Sequence, residues 1–263
     1  MSVQAIHFDD AQAYERGMGA WSQQAGQVFI DWLEPPAGYR WIDIGCGSGV
    51  FSELLVHRCA PAELQGIDPS PQQLSFARAR PGLQDKVFLQ GDAMALPFDD
   101  NRFDAAVMAL VLFFVSDPVK GVAEMRRVTR PGGIISAYVW DMLNDASPAY
   151  PIQAELRARG LPIASPPRAD ISAVPALREL WTHAGLEAVE TREITVQRRF
   201  VDFEDFWQAT TGMPSGKKAL ASVTPAELQQ IKAAIRASLP ADAAGHVTCQ
   251  ARANAIKGRV PIS

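Results

Sequence analysis

The stretch from Trp41 to Leu55, WIDIGCGSGVFSELL, constrains the fold more than any other part of this sequence. An apolar run ends in three glycines that alternate with small residues, Gly45–Gly49, and apolar residues then return at helical spacing. This order is typical of a strand, a tight loop and a helix. Because glycines allow sharp turns and a close approach of backbone to ligand, the stretch predicts a ligand-binding loop after the first strand of an α/β sheet.

The spacing of the glycines and one acid indicate which ligand this loop holds. The dinucleotide fingerprint G-x-G-x-x-G is not met, because the third glycine, Gly49, comes one residue early and Val50 follows it. Asp43 lies two residues before the loop, where a carboxylate would repel a pyrophosphate and attract an ammonium group. The pattern favours S-adenosylmethionine, which carries an ammonium and a sulfonium group. In the simpler alternative, Asp43 only caps the loop and the glycines only close a turn.

Composition and charge restrict the class of protein. The 263 residues are 48% hydrophobic, enough for one sizeable core, so we expect a single α/β domain with a modest insertion. The net charge is −4, and the 25 Lys and Arg residues form no basic run among 29 Asp and Glu residues. This balance disfavours a nucleic-acid partner. The three cysteines are odd in number and far apart, which predicts neither a disulfide framework nor a metal site.

Hydropathy and the order of the N-terminal residues indicate the expected location of the protein. No apolar run reaches the roughly 20 residues that span a bilayer. The N-terminus lacks the basic and then apolar order of a signal peptide. We therefore expect a cytoplasmic protein without a transmembrane segment, present as a monomer or a homodimer.

Apolar periodicity predicts the remaining elements. A helix at about residues 11–33 is expected to bend at Gly17 and Gly19 and to fold over the ligand site. Strands are expected at residues 40–44, 63–67, 86–90, 103–112, 134–140, 187–195 and 246–257, with a turn at 130–133. Further helices are expected from residue 71 and at residues 119–128, 152–158, 176–184, 200–210 and 225–239.

Two acids follow the second and third predicted strands. Asp68 lies 19 residues beyond Gly49, near the offset at which an acid at a strand tip accepts ribose hydroxyls. The alternative role of Asp68 is to cap the helix at Pro71, but Ser70 is available for that capping role, which favours ribose binding. Asp92 follows the third predicted strand, where the amino group of adenine would project, and we expect it to accept a hydrogen bond from that group. In the alternative, Asp92 is only an acidic residue of a surface loop.

A series of motifs now identifies a family. DIGCGSG, GIDPS, QGDAMALPF, NRFDAAVMALVLFFV and MRRVTRPGGIISAYVWD occur in this order, after an N-terminal YERGMGAWS. The series resembles class I S-adenosylmethionine-dependent methyltransferases, particularly the branch of ubiquinone and menaquinone biosynthesis enzymes, over about half of the chain. It implies a doubly wound, mostly parallel seven-stranded sheet of the Rossmann-like methyltransferase fold. The expected parts are an N-terminal helical lid (1–36), a cofactor-binding half (37–141) and a substrate-side half with a small helical insertion (142–263).

The resemblance also implies a binding site for S-adenosylmethionine, or its product S-adenosylhomocysteine, along the carboxyl ends of the strands. The methionine part would face Asp43 and the backbone of Gly45, Cys46, Gly47 and Gly49. The nucleoside would contact Asp68 at the ribose, Pro69 beside the adenine, and Asp92 with Ala93 at the adenine edge. Ala109 and Leu110 would border the cofactor after the fourth strand, and Tyr14 and Met18 would close over the methyl donor.

The expected reaction is an in-line methyl transfer, for which positioning and exclusion of water supply much of the rate. A general base is needed only for a nucleophile that starts protonated. Relatives often have a polar residue after the fourth strand, where this chain has Phe113 and Phe114, so Asp141 is the remaining candidate acid or base.

An apolar or aromatic small molecule is the expected methyl acceptor. Its predicted contacts are Phe113, Trp140, Phe206 and Trp207. The alternative for Phe206 and Trp207, which lie in an aromatic stripe of one predicted helix, is packing in the core. An alternative function is a protein that binds S-adenosylmethionine or S-adenosylhomocysteine and catalyses nothing. A nicotinamide dehydrogenase ranks third, because Asp43 and Val50 both argue against it.

Overall fold

A mixed β-sheet forms the centre of the protein in the computed structural model, which describes residues 15–163, 165–212, 214–221 and 223–262. The strands are β1 (Arg40–Ile44), β2 (Glu63–Asp68), β3 (Val87–Gln90), β4 (Phe103–Ala109), β5 (Thr129–Trp140), β6 (Glu187–Phe200) and β7 (Val247–Arg259). Their order across the sheet is β3-β2-β1-β4-β5-β7-β6. The first five strands run parallel, and β7 lies antiparallel between β5 and β6. The predicted mostly parallel seven-stranded sheet is therefore confirmed.

Helices connect and cover these strands. The helices are α1 (Ala20–Leu33), α2 (Val50–Cys59), α3 (Pro71–Ala79), α4 (Pro118–Val128), α5 (Tyr150–Ala158), α6 (Val174–His183), α7 (Phe203–Thr211), α8 (Pro214–Leu220) and α9 (Pro225–Ser238). No helix of the described ranges is both long and apolar enough to cross a membrane. The predicted α3 boundary is confirmed, because the Ser70 hydroxyl accepts a hydrogen bond from the N–H of Gln73 and caps this helix.

The strand order reverses at β1. This strand pairs with β2 on one side and with β4 on the other. Connections therefore leave β1 and β4 toward opposite directions, and a crevice opens at their carboxyl ends. The glycine loop after β1 lies at this crevice, so the topology makes the crevice the candidate ligand site.

β4 ends earlier than predicted. We expected the strand to continue to Leu112, but it stops at Ala109. Leu110 adopts a φ of 62°, and its N–H donates to the carbonyl of Tyr138 on β5 at 2.8 Å. The next residues form a 3-10 turn, Leu112–Phe114, in which Leu112 and Phe113 are buried. Since an apolar run is buried equally well in a strand or in a turn, hydrophobicity alone does not mark this boundary.

The antiparallel strands are longer than predicted. The segment 130–133, expected as a turn, belongs to β5, and β6 continues to Phe200 instead of ending at Thr195. Trp140, the last residue of β5, is opposite Ala253, so the pairing of Thr195–Phe200 with Val247–Arg252 continues beyond β5. We call this two-stranded extension the ribbon. It rises above the carboxyl ends of the parallel strands.

The N-terminal segment and one later helix also differ from expectation. Residues 11–14 of the predicted N-terminal helix lie outside the described residues. From residue 15 onward a π-helical turn, Glu15–Gly19, leads directly into α1, where two pieces joined by a bend were expected. The two glycines therefore widen one helical turn without breaking the helix. Helix α8 was not predicted, because its sequence PSGKKAL holds too few apolar residues to show a helical period.

The carboxylate of Asp104 joins the amino ends of β1, β4 and β5. It accepts hydrogen bonds from the N–H of Arg40 at 2.8 Å, from Arg40 Nε at 3.0 Å and from Arg130 Nε at 2.6 Å. Burial opposes the ionised form, but these bonds outweigh that effect and hold the pKa of Asp104 well below its usual range. The ionised carboxylate therefore stabilises the folded protein.

Replacing this carboxylate tests its contribution to stability. We expect Asp104→Asn to lower the free energy of unfolding at pH 7 by about 1–2 kcal/mol, a value that allows for solvent screening of the two exposed guanidinium groups. Because the folded-state pKa is depressed, the difference should be present above pH ~4 and shrink as pH falls below that value. Urea unfolding at pH 7 and pH 3.5 measures it. Asp100→Asn, at a more exposed carboxylate on Arg127, is the control and should change stability by less than ~0.5 kcal/mol at both pH values.

Candidate functional site

The glycine loop connects β1 to α2 and is fastened to the end of β2. The N–H groups of Gly45 and Cys46 both donate to the carbonyl of Ile67, at 2.7 and 3.1 Å. Gly45, Gly47 and Gly49 have φ values of 73°, 52° and 83°, in the left-handed region that favours glycine. The predicted sharp turn is therefore present, and it presents backbone toward the crevice.

The three glycines of the loop face different surroundings. A Cβ on Gly45 would lie 2.5 Å from the side chain of Val111, and one on Gly49 would lie 2.9 Å from Leu83. On Gly47 the nearest atom would be Oε1 of Gln73, at 3.9 Å. Gly45 and Gly49 are thus required for packing within the protein. Gly47 borders open space, where the backbone can approach a ligand.

Asp43 is buried beneath this loop at the end of β1, with 1% of its surface exposed. Its Oδ2 accepts a hydrogen bond from the hydroxyl of Ser52 on α2 at 2.6 Å. Its Oδ1 is buried and has no partner among the described residues, and the same is true of the Ser48 hydroxyl in the loop. No described loop N–H donates to Asp43, so its contacts do not support the alternative that it caps the loop.

Burial raises the pKa of Asp43 to about 7. The hydrogen bond from Ser52 opposes this shift, and the negative charge of Asp68 adds to it. A cation bound near Oδ1 would offset the free-energy cost of ionising the buried carboxyl group, because it would favour the ionised form. A positively charged ligand would therefore stabilise the Asp43 carboxylate more than a neutral ligand would.

Asp68 joins the end of β2 to the glycine loop. Its Oδ2 accepts from the N–H of Gly47 at 2.9 Å, and its Oδ1 accepts from the N–H of Ser70, also at 2.9 Å. Burial raises its pKa, and these two backbone donors oppose the shift. The alternative that Asp68 caps α3 is wrong, because Ser70 holds that position. Each carboxylate oxygen keeps a second lone pair that a ribose hydroxyl could use.

The predicted adenine contacts lie on the surface after β2 and β3. Asp92 is exposed, and its Oδ1 accepts from the N–H of Met94 at 2.8 Å, which closes a short turn. Ala93 lies within this turn and is half-buried, whereas Pro69 is exposed. The carbonyl of Pro69 accepts from the side-chain amide of Gln90 at 3.1 Å. This bond holds the ends of β2 and β3 together beside the crevice.

The end of β4 forms the opposite wall. Ala109 is half-buried and Leu110 is buried at the bend that ends the strand. Phe113 is buried in the following turn, and its carbonyl accepts from the N–H of Arg168 at 3.0 Å. Trp140 lies at the carboxyl end of β5 with its indole N–H buried and unpartnered among the described residues. Phe113 and Trp140 are thus apolar residues at neighbouring strand ends.

Aromatic residues link this wall to the N-terminal segment. Trp21 on α1 packs edge-on against Trp140, with ring centroids 6.5 Å apart, and lies 6.5 Å from Phe200 of the ribbon. Phe206 is fully buried 5.4 Å from Phe200, and Trp207 stacks on Phe203. These contacts of Phe206 and Trp207 favour the core-packing alternative over contact with an acceptor.

Three further predicted residues belong to the N-terminal segment and to the end of β5. Met18 lies in the π-helical turn and packs on the hydrophobic core, while Tyr14 lies outside the described residues. Asp141 follows β5 and is buried. Its Oδ2 accepts from Arg252 Nη2 at 2.7 Å and its Oδ1 from the side chain of Asn144 at 3.1 Å.

The bonds to Asp141 favour a structural role. Burial opposes its ionised form, but Asn144 and Arg252 outweigh burial and lower its pKa. A carboxylate with a lowered pKa is a poor base. The described residues also contain no cluster of three metal-ligating side chains.

Three residues that shape the site were not predicted from the sequence. Ser52 bonds Asp43, Val111 packs over Gly45, and Trp21 lies between the wall and the ribbon. Ser52 and Val111 carry no motif. Trp21 belongs to the apolar stripe of the N-terminal helix, but the stripe does not show which strand its residues contact.

A doubly wound sheet with a glycine loop and two buried acids at adjacent strand ends defines an α/β protein whose candidate ligand site is its topological switch point. Residues 42–137 match the model of the family described as methyltransferase domain. This range lies within the predicted cofactor-binding half. The predicted resemblance to S-adenosylmethionine-dependent methyltransferases is thereby confirmed.

Curated relatives are similar over somewhat less than half of the chain. The uncharacterized methyltransferase Rv3342 of Mycobacterium tuberculosis is 39% identical over 129 residues, which are 49% of each chain. The demethylmenaquinone methyltransferase of Bacteroides fragilis is 35% identical over 118 residues, 43% of this chain and 46% of the relative. The chain thus spans about half the length of the curated relatives it matches.

Solved structures share the whole fold at low identity. The YcgJ protein of Bacillus subtilis has a TM-score of 0.60 and 18% identity, over 90% of this chain and 98% of its own. The cyclase SpnF has a TM-score of 0.56 and 18% identity, over 98% of both chains. At these identities the likeness shows the fold alone.

The buried acid beneath the loop provides a test of the site that requires no ligand. The pKa of Asp43 is raised in the folded protein, so this group favours folding below pH ~4 and loses that contribution as pH rises through about 7. We expect Asp43→Asn to be more stable than the parent at pH 8, by on the order of 4 kcal/mol at most, with a smaller difference at pH 5.

Guanidinium unfolding of the ligand-free proteins at pH 5 and pH 8 measures this difference. Asp85→Asn is the control, because Asp85 is exposed in the loop between α3 and β3 and its side chain bonds that of Lys86. A parent-to-variant difference for Asp43→Asn that stays the same at both pH values would show that Asp43 does not titrate as its burial implies.

Proposed function

We propose that the protein transfers a methyl group from S-adenosylmethionine to an apolar or aromatic small molecule. The observation that carries this proposal is the buried Asp43 carboxyl group, whose Oδ1 has no partner among the described residues, at the strand end that leads into the loop with Gly47. A buried carboxyl oxygen without a partner, four residues before Gly47, fits the ammonium group of the methionine part. The match of residues 42–137 to methyltransferase domains supports the same assignment.

The residues of the crevice have distinct proposed roles. Asp43 neutralises the ammonium group, the backbone at Gly47 lies against the methionine part, and Asp68 accepts the ribose hydroxyls. Asp92 keeps one carboxylate oxygen for the adenine amino group, since only its Oδ1 is bonded. Together these contacts would orient the sulfonium methyl group for in-line attack, and orientation supplies much of the rate in such a displacement.

The acceptor side is apolar. Phe113 and Trp140 lie at the ends of neighbouring elements, and Asp141 is already occupied by Arg252. Among relatives, one is named demethylmenaquinone methyltransferase and another 2-methyl-6-phytyl-1,4-hydroquinone methyltransferase. We therefore propose an acceptor with a planar, electron-rich ring, such as a hydroquinone, because its nucleophilic atom needs little help from a protein base.

A second candidate function is binding of the same cofactor without methyl transfer. The cyclase SpnF shares this fold, so the fold does not determine the reaction. The apolar pair Phe113 and Phe114, where relatives often place a polar residue, fits this alternative too. Only turnover distinguishes it from the first proposal.

Calorimetric titration with S-adenosylmethionine, S-adenosylhomocysteine and NAD tests the cofactor. We expect micromolar binding of the first two and none of NAD. Asp68→Ala should weaken binding by about 10–100-fold and Asp43→Asn by about tenfold or more, because each loses a charge-assisted contact. Asp85→Asn is the matched control and should bind like the parent. Unchanged affinity in Asp68→Ala would contradict the ribose assignment.

Turnover is measured with radiolabelled methyl donor and a panel of hydroquinones, phenols and amines. Transfer to the hydroquinones at the highest kcat/KM is expected. Binding of the cofactor without transfer to any acceptor would favour the second candidate. Transfer only to amines would contradict the proposed acceptor class.

A further inference from the structure

Arg198 is a cation in an otherwise apolar row of the ribbon. Along β6, alternate side chains face inward, and the inward residues on either side, Val196 and Phe200, are buried. Its partner on β7, Cys249, is buried as well. A half-buried guanidinium at such a position loses hydration and requires acceptors from the protein.

The acceptor that the structure supplies is a carbonyl of the N-terminal segment. Arg198 Nη1 donates to the carbonyl oxygen of Gly17 at 2.8 Å. The guanidinium carbon lies 4.4 Å from the ring centroid of Phe200, which adds a cation–π contact. In the described part of the chain no carboxylate lies within ion-pair distance of Arg198. Its neighbour Arg199 faces outward and pairs with Asp242.

The bonded carbonyl belongs to the π-helical turn Glu15–Gly19. This turn also packs against α7 and carries Met18, which faces the hydrophobic core. Phe200, under the guanidinium, contacts Trp21, and Trp21 contacts Trp140 at the acceptor wall. One side chain therefore connects the turn before α1 with the aromatic residues beside the crevice.

We propose that Arg198 is a positioning residue that latches the π-helical turn Glu15–Gly19 over the carboxyl ends of the strands. With the latch formed, the turn and Met18 stay in place beside the methyl donor. Without it, the turn opens and the site closes less completely over the cofactor. The part of this inference that concerns the cofactor rests on the proposed function, whereas the latch itself does not.

Limited trypsin digestion tests the latch without any ligand. The side chain of Arg16 is exposed, while Gly17 is buried, so cleavage of the bond between them requires the turn to open. We expect Arg198→Met to raise the rate of this cleavage about tenfold. Mass spectrometry of the digestion products measures the rate. Arg198→Lys retains one donor and should restore most of the protection, because a lysine reaches a single carbonyl.

Arg199→Met is the matched control, since it removes the same side chain from the outward face of the same strand. It should leave the Arg16–Gly17 cleavage rate unchanged. Cleavage at other exposed sites, such as Arg58, reports general loosening and should also stay constant in Arg198→Met. Equal acceleration at all sites, or equal effects of Arg198→Met and Arg199→Met, would overturn the latch.

Kinetics then test its consequence for the cofactor. Arg198→Met should raise the KM for S-adenosylmethionine about tenfold and change the KM for the acceptor far less. An increase confined to the acceptor KM, with normal cleavage, would overturn the latch in favour of a direct contact between Arg198 and the acceptor. If the parent binds no adenosyl ligand, the proposed function fails, and the digestion result still decides the latch.

Discussion

A carboxyl group buried at the end of β1 is the constraint on which the rest of the site depends. Asp43 forms a single bond, from Ser52, and its other oxygen is left without a partner among the described residues. Such burial lowers stability at neutral pH unless a cation arrives, since it disfavours the ionised form. A purely structural position would be filled better by an amide or an apolar residue. A positively charged ligand therefore best explains why an acid that lowers stability occupies position 43.

The elements that sequence analysis placed correctly depend on local signals. β1 was predicted at its observed bounds because Pro35, Pro36 and Gly38 end the preceding helix and Gly45 follows a short apolar run. The cap at Ser70 followed from a proline at the first helical turn. The glycine loop was recognisable because its conformation depends on residues that are adjacent in the chain. Short-range rules of this kind cover most of the cofactor half.

The features that were not predicted depend on contacts between distant residues. Val111 makes a side chain impossible at Gly45, and Asp141 is occupied by Arg252, yet neither pairing leaves a pattern in the sequence. The bend at Leu110 ends β4 through a bond to β5 that hydrophobicity does not reveal. The aromatic side chain of Phe206 suited an acceptor contact as well. Only its packing against Phe200 shows that it belongs to the core.

The two halves of the crevice differ because they are built by different parts of the chain. Backbone groups and short acids shape the cofactor side, so its chemistry follows from the strand ends. The proposed acceptor side comprises large side chains from β5, α1 and the ribbon, which the antiparallel pairing of β6 with β7 raises above the sheet. Since Trp21 contacts both Trp140 and Phe200, an acceptor that displaces Trp140 would also shift the segment next to the methyl donor. In the proposed function, recognition of the acceptor and closure over the cofactor would therefore be coupled through Trp21.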